Sequence, residues 1–227
     1  KNLVKKRNWK AIVTTGPTRE YIDPVRYISN ESSGKQGHEI ALALNKLGIK
    51  TTLITGPSNL VYPKDLTVKK ITSADEMLVQ VKKSLPVDLA VCAAAVTDFK
   101  PAKKNKNKIK KENIDFKSIN FVTNVDILEY ISKNNKHRPN LVAGFSAETE
   151  NLSKNSIDKM KKKNCDIIFA NDISQKDIGF NSDYNKISVI DKEGNIEIIK
   201  KNKKSFIANK IAEILLNKLL INDRNIN

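Results

Sequence analysis

The sequence predicts an α/β protein: a doubly wound, mostly parallel sheet flanked by helices, with a β-hairpin late in the chain. Three observations carry this expectation. Short apolar runs alternate with helical patterns along most of the 227 residues, as βαβ units require. The run DLAVCAAAV, from Asp88, is apolar at successive positions, as a strand covered on both faces must be. The segment KISVIDKEGNIEII holds two strand-like runs around Glu193-Gly194, a hairpin signal.

The elements follow in order. KAIVTT, Lys10 to Thr15, reads as the first strand and ends at Gly16-Pro17. A helix is expected from about Lys35 to Leu47, because Ile40, Ala43, Leu44 and Leu47 recur at helical spacing and Gly48 supplies the stop. KTTLIT and LTVKKIT give two more strands. Ser73 then stands at an N-cap position with Glu76 three residues on, a capping-box pattern. Leu78, Val81 and Leu85 are expected on the buried face of that helix. LVAGFSA from Leu141 and DIIFAN from Asp166 read as strands, joined by a helix at about Asn151 to Asn164. A last helix, about Lys204 to Leu220, is expected to pack Phe206, Ile207, Ile211, Ile214 and Leu215. The order is Rossmann-like. Ligands of such sheets lie outside the carboxyl ends of the strands, so the residues after Thr15, Ala95, Phe145 and Ala170 are the informative ones.

With 39% hydrophobic residues, the length suits one domain, read as 11–221 between a basic linker at 1–10 and a tail at 222–227. The chain starts at Lys rather than Met, so a segment of a longer protein is expected. No run of about 18 apolar residues is present to span a bilayer, and the start lacks the apolar stretch of a secretory signal. A cytoplasmic protein without a membrane partner is the expectation. Cys92 and Cys165, the two cysteines, sit beside apolar runs as small buried hydrophobes would. The net charge of +16 invites nucleic-acid binding. Yet only five of the 41 basic residues are Arg, the residue that reads guanine, and abundant Lys, Asn and Ile point to a composition bias. No nucleic-acid partner is expected.

The stretch TTGPTREYIDPVRYISNESSGKQG is the most unusual. It spans over twenty residues without helical or strand period, where a βα loop takes about two to six. Ser32-Ser33-Gly34 would let backbone N–H groups close on an anion at a helix start. The familiar nucleotide loops are absent: Gly34-Lys35 is followed by Gln36, and no G-x-G-x-x-G follows the first strand. That argues against a dinucleotide oxidoreductase. Further candidates are Asp98 after the small residues Cys92 to Ala95, Lys108 in a long polar stretch, and Phe145 at a strand end. Lys159 and Lys163 share a helix face by their spacing, and Asn171-Asp172 stands at another strand end.

GPTRE, DPVRYISN, SSGK-x-G, AAAV-x-D, KIKK, GF-x-AET, ANDIS and GFNSD occur in this order. This ordered set resembles the phosphopantothenoylcysteine synthetase, or phosphopantothenate cysteine ligase, domain of bacterial coenzyme A enzymes. The likeness covers about Ala11 to Lys192. It implies a ligase that joins 4′-phosphopantothenate to L-cysteine with CTP as co-substrate and Mg2+, through an acyl-cytidylate. By match to these motifs, Asn30 and Arg26 would serve the acyl intermediate and its conversion to product, and Lys108 would meet the triphosphate and favour the cytidylate. Nucleotide contacts would come from Cys92, Ala93, Ala94 and Asp98, and from the turn Val125, Asp126, Ile127 and Leu128. Phe145, Lys159 and Lys163 would complete that site, and the magnesium ligands stay unassigned. The family's N-P-D-I-L turn appears here with Val125 in place of proline, and Thr97 stands where Ala is usual. The resemblance also implies a homodimer and fusion to a flavin-dependent phosphopantothenoylcysteine decarboxylase, with no FMN expected in this segment.

Overall fold

The computed structural model describes residues 7–110, 119–133, 136–148, 152–172 and 182–224. Lys111 of KIKK, Thr149 of GF-x-AET, 173–174 of ANDIS and 179–181 of GFNSD lie outside them.

Eight strands form the central sheet: β1 (Lys10–Thr15), β4 (Lys50–Thr55), β5 (Thr67–Lys70), β6 (Leu89–Cys92), β9 (Leu141–Glu148), β10 (Ile167–Asp172), β11 (Tyr184–Asp191) and β12 (Ile196–Lys203). Their spatial order is β12-β11-β10-β9-β6-β1-β4-β5. From β5 to β10 every neighbour is parallel. β11 and β12 pair antiparallel, joined at Gly194 with φ 83°. The expected doubly wound sheet with a late hairpin is the fold observed.

The strands alternate sides residue by residue, because the side-chain period of a strand is two. Ala11, Val13, Leu89, Val91 and Phe169 face one core, filled by α1 (Lys35–Lys46) and α5 (Lys204–Arg224). Ile12, Ala90, Val142 and Ile168 face the other, against α2 (Ala74–Ser84), α3 (Ile127–Lys133) and α4 (Leu152–Lys163). None of the described helices is long and apolar enough to cross a membrane.

The cap of α2 forms as expected, with Glu76 N–H donating to Ser73 Oγ at 3.3 Å. The Glu76 carboxylate, however, accepts from Thr72 N at 2.8 Å, one residue earlier than the reciprocal box partner. Met77 joins Ala74 and Val81 on the buried stripe, while Leu78 and Leu85 lie at its border. In α5 the stripe is Ile207, Ile211 and Leu215, and Phe206, about 100° off it, is 46% exposed.

The unusual first loop is more ordered than its sequence period suggests. β2 (Arg19–Tyr21) and β3 (Tyr27–Ser29) pair antiparallel, as do β7 (Phe99–Pro101) and β8 (Phe121–Thr123). Strands of three residues are too short to show a period of two. The seven-residue α3 escaped the sequence reading for the same reason.

Candidate functional site

The chain passes from β1 through α1 to β4 on one side, then returns through α2 to β6 on the other side of β1. The loops leaving β1 and β6 therefore diverge, and a crevice opens between them. These loops first run together: Ala93 N donates to Thr14 O at 3.0 Å, Ala95 N to Gly16 O at 2.9 Å, and Thr18 N to Ala95 O at 3.3 Å. Small residues are needed here because α1 packs directly on them. A methyl group on Gly37 would lie 2.3 Å from Thr15 Oγ1 and 3.3 Å from Ala93 Cβ. Gly34 precedes the helix in the left-handed conformation, φ 72°, and its carbonyl accepts from Thr15 Oγ1 at 2.8 Å.

Two clefts result. The first, about 490 Å3, is lined by the segment 30–37 and by 93–96, and its lining includes Asn171, Asn185 and Lys204. The second, about 480 Å3, lies on the α3 side, between Thr14, the turn 124–129 and Lys163. Ala94, Val96, Asp98, Phe145 and Lys159 line both, so the clefts meet there.

Most of the residues expected from sequence fall on these walls. Asn30 and Ala93 line the first cleft. Asn30 is exposed, and its Nδ2 donates to Val96 O at 3.1 Å, which ties the amide to the 93–96 segment. Cys92, Val125, Asp126, Ile127 and Leu128 line the second, with Lys163. Burial pushes the Cys92 thiol up to about 12, which opposes a thiolate there. Phe145 packs its ring against Phe169, 5.3 Å between centroids, and presents its remaining surface to both clefts. Lys159 Nζ donates to Phe145 O at 2.9 Å. Lys163 reaches both Asp126 and Glu129 at 2.8 Å, and despite its burial those carboxylates raise its pKa.

The turn without its proline holds its shape by side chains. Asn124 accepts from Val125 N at 2.9 Å and donates to Thr97 Oγ1 at 3.3 Å, a bond that the unusual Thr97 makes available. Asp126 Oδ1 accepts from Glu129 N at 2.7 Å and so caps α3.

Arg26 and Lys108 line neither cleft. Arg26 is held by Asp23, a fully buried carboxylate that accepts from Val25 N, Arg26 N and Arg26 Nε, each at 2.9 Å. Asp23 also accepts from Ile109 N at 3.2 Å, and Arg26 Nη2 donates to Ile109 O at 3.0 Å. The Arg26 guanidinium and these amides hold the Asp23 carboxyl well below the usual carboxylate range. The pair thus clips the segment carrying the exposed Lys108 to the first loop.

Sequence reasoning gave Lys204 no place in the site, only at the start of the last helix. It sits in the lysine run KKNKKS, where nothing distinguishes one lysine from the next. Only the fold buries it, to 5% exposure. Burial, reinforced by nearby Lys35, lowers its pKa to about 8. Gln36 links the two helix starts, donating to Lys204 O at 3.4 Å and accepting from Asn185 Nδ2 at 3.2 Å. Among the described residues no three His, Cys, Asp or Glu side chains cluster to form a metal cage.

The arrangement is a bipartite crevice with four lysines on its walls, Lys35, Lys159, Lys163 and Lys204, and one carboxylate, Asp98, at the junction. Comparison with known proteins places it. The chain is 41% identical over 204 residues to the coenzyme A biosynthesis bifunctional protein CoaBC of Haemophilus influenzae, covering 89% of this chain and 50% of that one. It spans about half the length of the curated relatives it matches. The crystal structure of the C-terminal domain of a CoaBC superposes with a TM-score of 0.78 at 30% identity, covering 96% of this chain and 97% of that chain. A Cab2 mutant in complex with phosphopantothenate-cysteine shares the fold, with a TM-score of 0.76 at 14% identity over 96% of this chain and 90% of that one. The model of the DNA/pantothenate metabolism flavoprotein C-terminal domain matches residues 6–219, and the chain belongs to that family.

Proposed function

We propose that this chain is a phosphopantothenate cysteine ligase of coenzyme A biosynthesis, working in the cytoplasm as a homodimer. In this reading it forms one part of a longer protein that also carries the flavin-dependent decarboxylase. The observation that carries the reading is the meeting of two clefts at Asp98, Phe145 and Lys159. A ligation that first joins an acid to a nucleotide needs two sites that share one reacting centre.

The nucleotide occupies the second cleft, with CTP against the 124–128 turn and Phe145, and its phosphates directed to Lys159 and Lys163. The pantothenate arm occupies the first cleft. At the junction the carboxylate oxygen attacks the α-phosphorus and pyrophosphate leaves. The cysteine amine then attacks the acyl carbon, loses a proton, and CMP leaves. Asn30, tethered to the Val96 carbonyl, orients the acyl group for the second step. Arg26 steadies the hairpin after which Asn30 stands, and Lys108 approaches the triphosphate from the clipped segment. Mg2+ is commonly held by one or two carboxylates plus substrate phosphates. Asp98, exposed and shared by both clefts, fits that mode, and the ion would offset phosphoryl charge there.

The homodimer is supported by an apolar surface on the two small strand pairs, where Phe99, Phe121, Val122 and Val25 are 44–58% exposed. The ligase is tested by mixing the chain with 4′-phosphopantothenate, cysteine, CTP and magnesium and following pyrophosphate. Release that depends on the acid supports it; no release with either CTP or ATP refutes it.

A further inference from the structure

The second cleft, where the ligase reading places a polyanionic nucleotide, carries no surplus of positive charge. Its ionisable lining sets Lys159 and Lys163 against Asp98, Asp126 and Glu129. Two of these carboxylates already hold one of the lysines. Asp126 Oδ2 and Glu129 Oε2 each lie 2.8 Å from Lys163 Nζ, whose side chain is 15% exposed. A triphosphate that draws on Lys163 therefore competes with two anions on the wall itself.

The surroundings let the ammonium leave without stranding either carboxylate. Glu129 Oε1 pairs with Lys133 at 2.6 Å, one turn along α3, and Asp126 Oδ1 accepts from Glu129 N at 2.7 Å. Both side chains also meet water, Glu129 at 35% and Asp126 at 42% exposure. The Lys133 and Lys163 ammoniums hold the Glu129 carboxyl down at about 2, so it is ionised at neutral pH. The backbone at Lys163 stays in place, since the residue ends α4 and Arg138 Nη2 donates to the next carbonyl, Asn164 O, at 3.1 Å. What moves is the flexible lysine side chain alone.

We propose that Asp126 and Glu129 form a latch on Lys163: they hold its ammonium in the empty cleft, and the phosphates of the nucleotide take it from them on binding. Glu129 is then a positioning residue that lowers nucleotide affinity by acting through Lys163. The assignment rests on the ligase reading, which puts the nucleotide in this cleft, and deepens it. The turn motif ends at Leu128, and Glu129 stands one residue beyond it. After the reaction the carboxylates compete with the outgoing phosphates for the same ammonium, so closing the latch favours product release.

The test is calorimetric and kinetic, on the wild-type chain, Glu129→Gln, Lys133→Gln, Lys163→Met and the double variant Glu129→Gln with Lys163→Met. In Glu129→Gln the Kd for CTP with magnesium should fall about 2- to 10-fold, the range for undoing a partly exposed ion pair. The KM for CTP should fall with it, and the KM for phosphopantothenate should stay within about twofold. Lys133→Gln leaves Glu129 to Lys163 and should weaken CTP by a similar factor. The double variant separates the latch from plain repulsion of phosphates by Glu129. Without Lys163, Glu129→Gln should change CTP affinity by less than about twofold. Equal tightening in both backgrounds, weaker CTP binding in Glu129→Gln, or no change in it overturns the proposal. Titration with CTP in the absence of the acid and cysteine keeps the two readings apart. If CTP tightens through Lys163 but no ligation occurs, the latch stands and the ligase reading falls. Ligation with a CTP affinity indifferent to Glu129 means the reverse.

Discussion

Replacing Lys204 with methionine should make the protein without substrate more stable, because methionine keeps most of the side-chain length and removes a buried charge. The ordinary lysine value of 10.5 falls to about 8 in the fold, which corresponds to about 3 kcal/mol of penalty on the charged form. For a chain of this size about 1 kcal/mol moves Tm by roughly 2–4 °C, so a gain of about 6–12 °C is expected at pH 7. The sign follows from the depressed folded value. Below pH about 8 the lysine is charged in both states and the penalty is complete. Between about 8 and 10.5 the folded protein has released the proton and the unfolded chain has not, so stability rises with pH. Above that window the penalty is gone. Thermal melts of wild type and Lys204→Met at pH 7, 9 and 11 read this directly, the gap narrowing as pH rises. A variant less stable than wild type at pH 7, or a gain independent of pH, would refute the reasoning.

Asn30→Ala should release pyrophosphate in a single turnover while amide product lags far behind, and wild-type product formation would remove Asn30 from the second step. Lys108→Gln should instead slow pyrophosphate release itself, by about 10- to 100-fold if it meets the triphosphate; unchanged release assigns it to solvent. Gly37→Ala places a methyl 2.6 Å from buried Thr15 Cβ and should cost about 1–3 kcal/mol by overpacking, read as a lower urea midpoint. Asp23→Asn should loosen the 105–109 segment and raise the KM for CTP. Because the folded Asp23 value is depressed, its contribution is present above the ordinary carboxylate range and is lost as pH falls through the folded value. Acid unfolding of Asp23→Asn should therefore lack that component, and identical acid profiles would contradict the clip.

The continuous apolar runs of β1, β6, β9 and β10 and the stripe of α1 are local patterns, and with the helical stretches between them they were enough to reach the doubly wound sheet and its late hairpin. They also pointed to the crevice, since a switch in winding opens one at the carboxyl ends of β1 and β6. The family motifs lie mostly in loops, where backbone contact with a ligand constrains residue type, so Asn30, Asp98, Phe145 and Lys159 were legible as a set. What local pattern could not convey was which side chains a three-residue strand or a lysine run would bury. Asp23 looks like any turn aspartate until Ile109, 86 positions away, donates to it. Lys204 is one of 36 lysines until α5 packs beside α1 and turns it into the cleft. Period and motif reside in neighbouring residues, so the sequence alone determined the architecture and the position of the crevice. Desolvation and charge at a site depend on atoms brought together from distant parts of the chain, so only the tertiary structure decided which lysine would be buried, which carboxylate would become a clip, and how one crevice divides into two clefts.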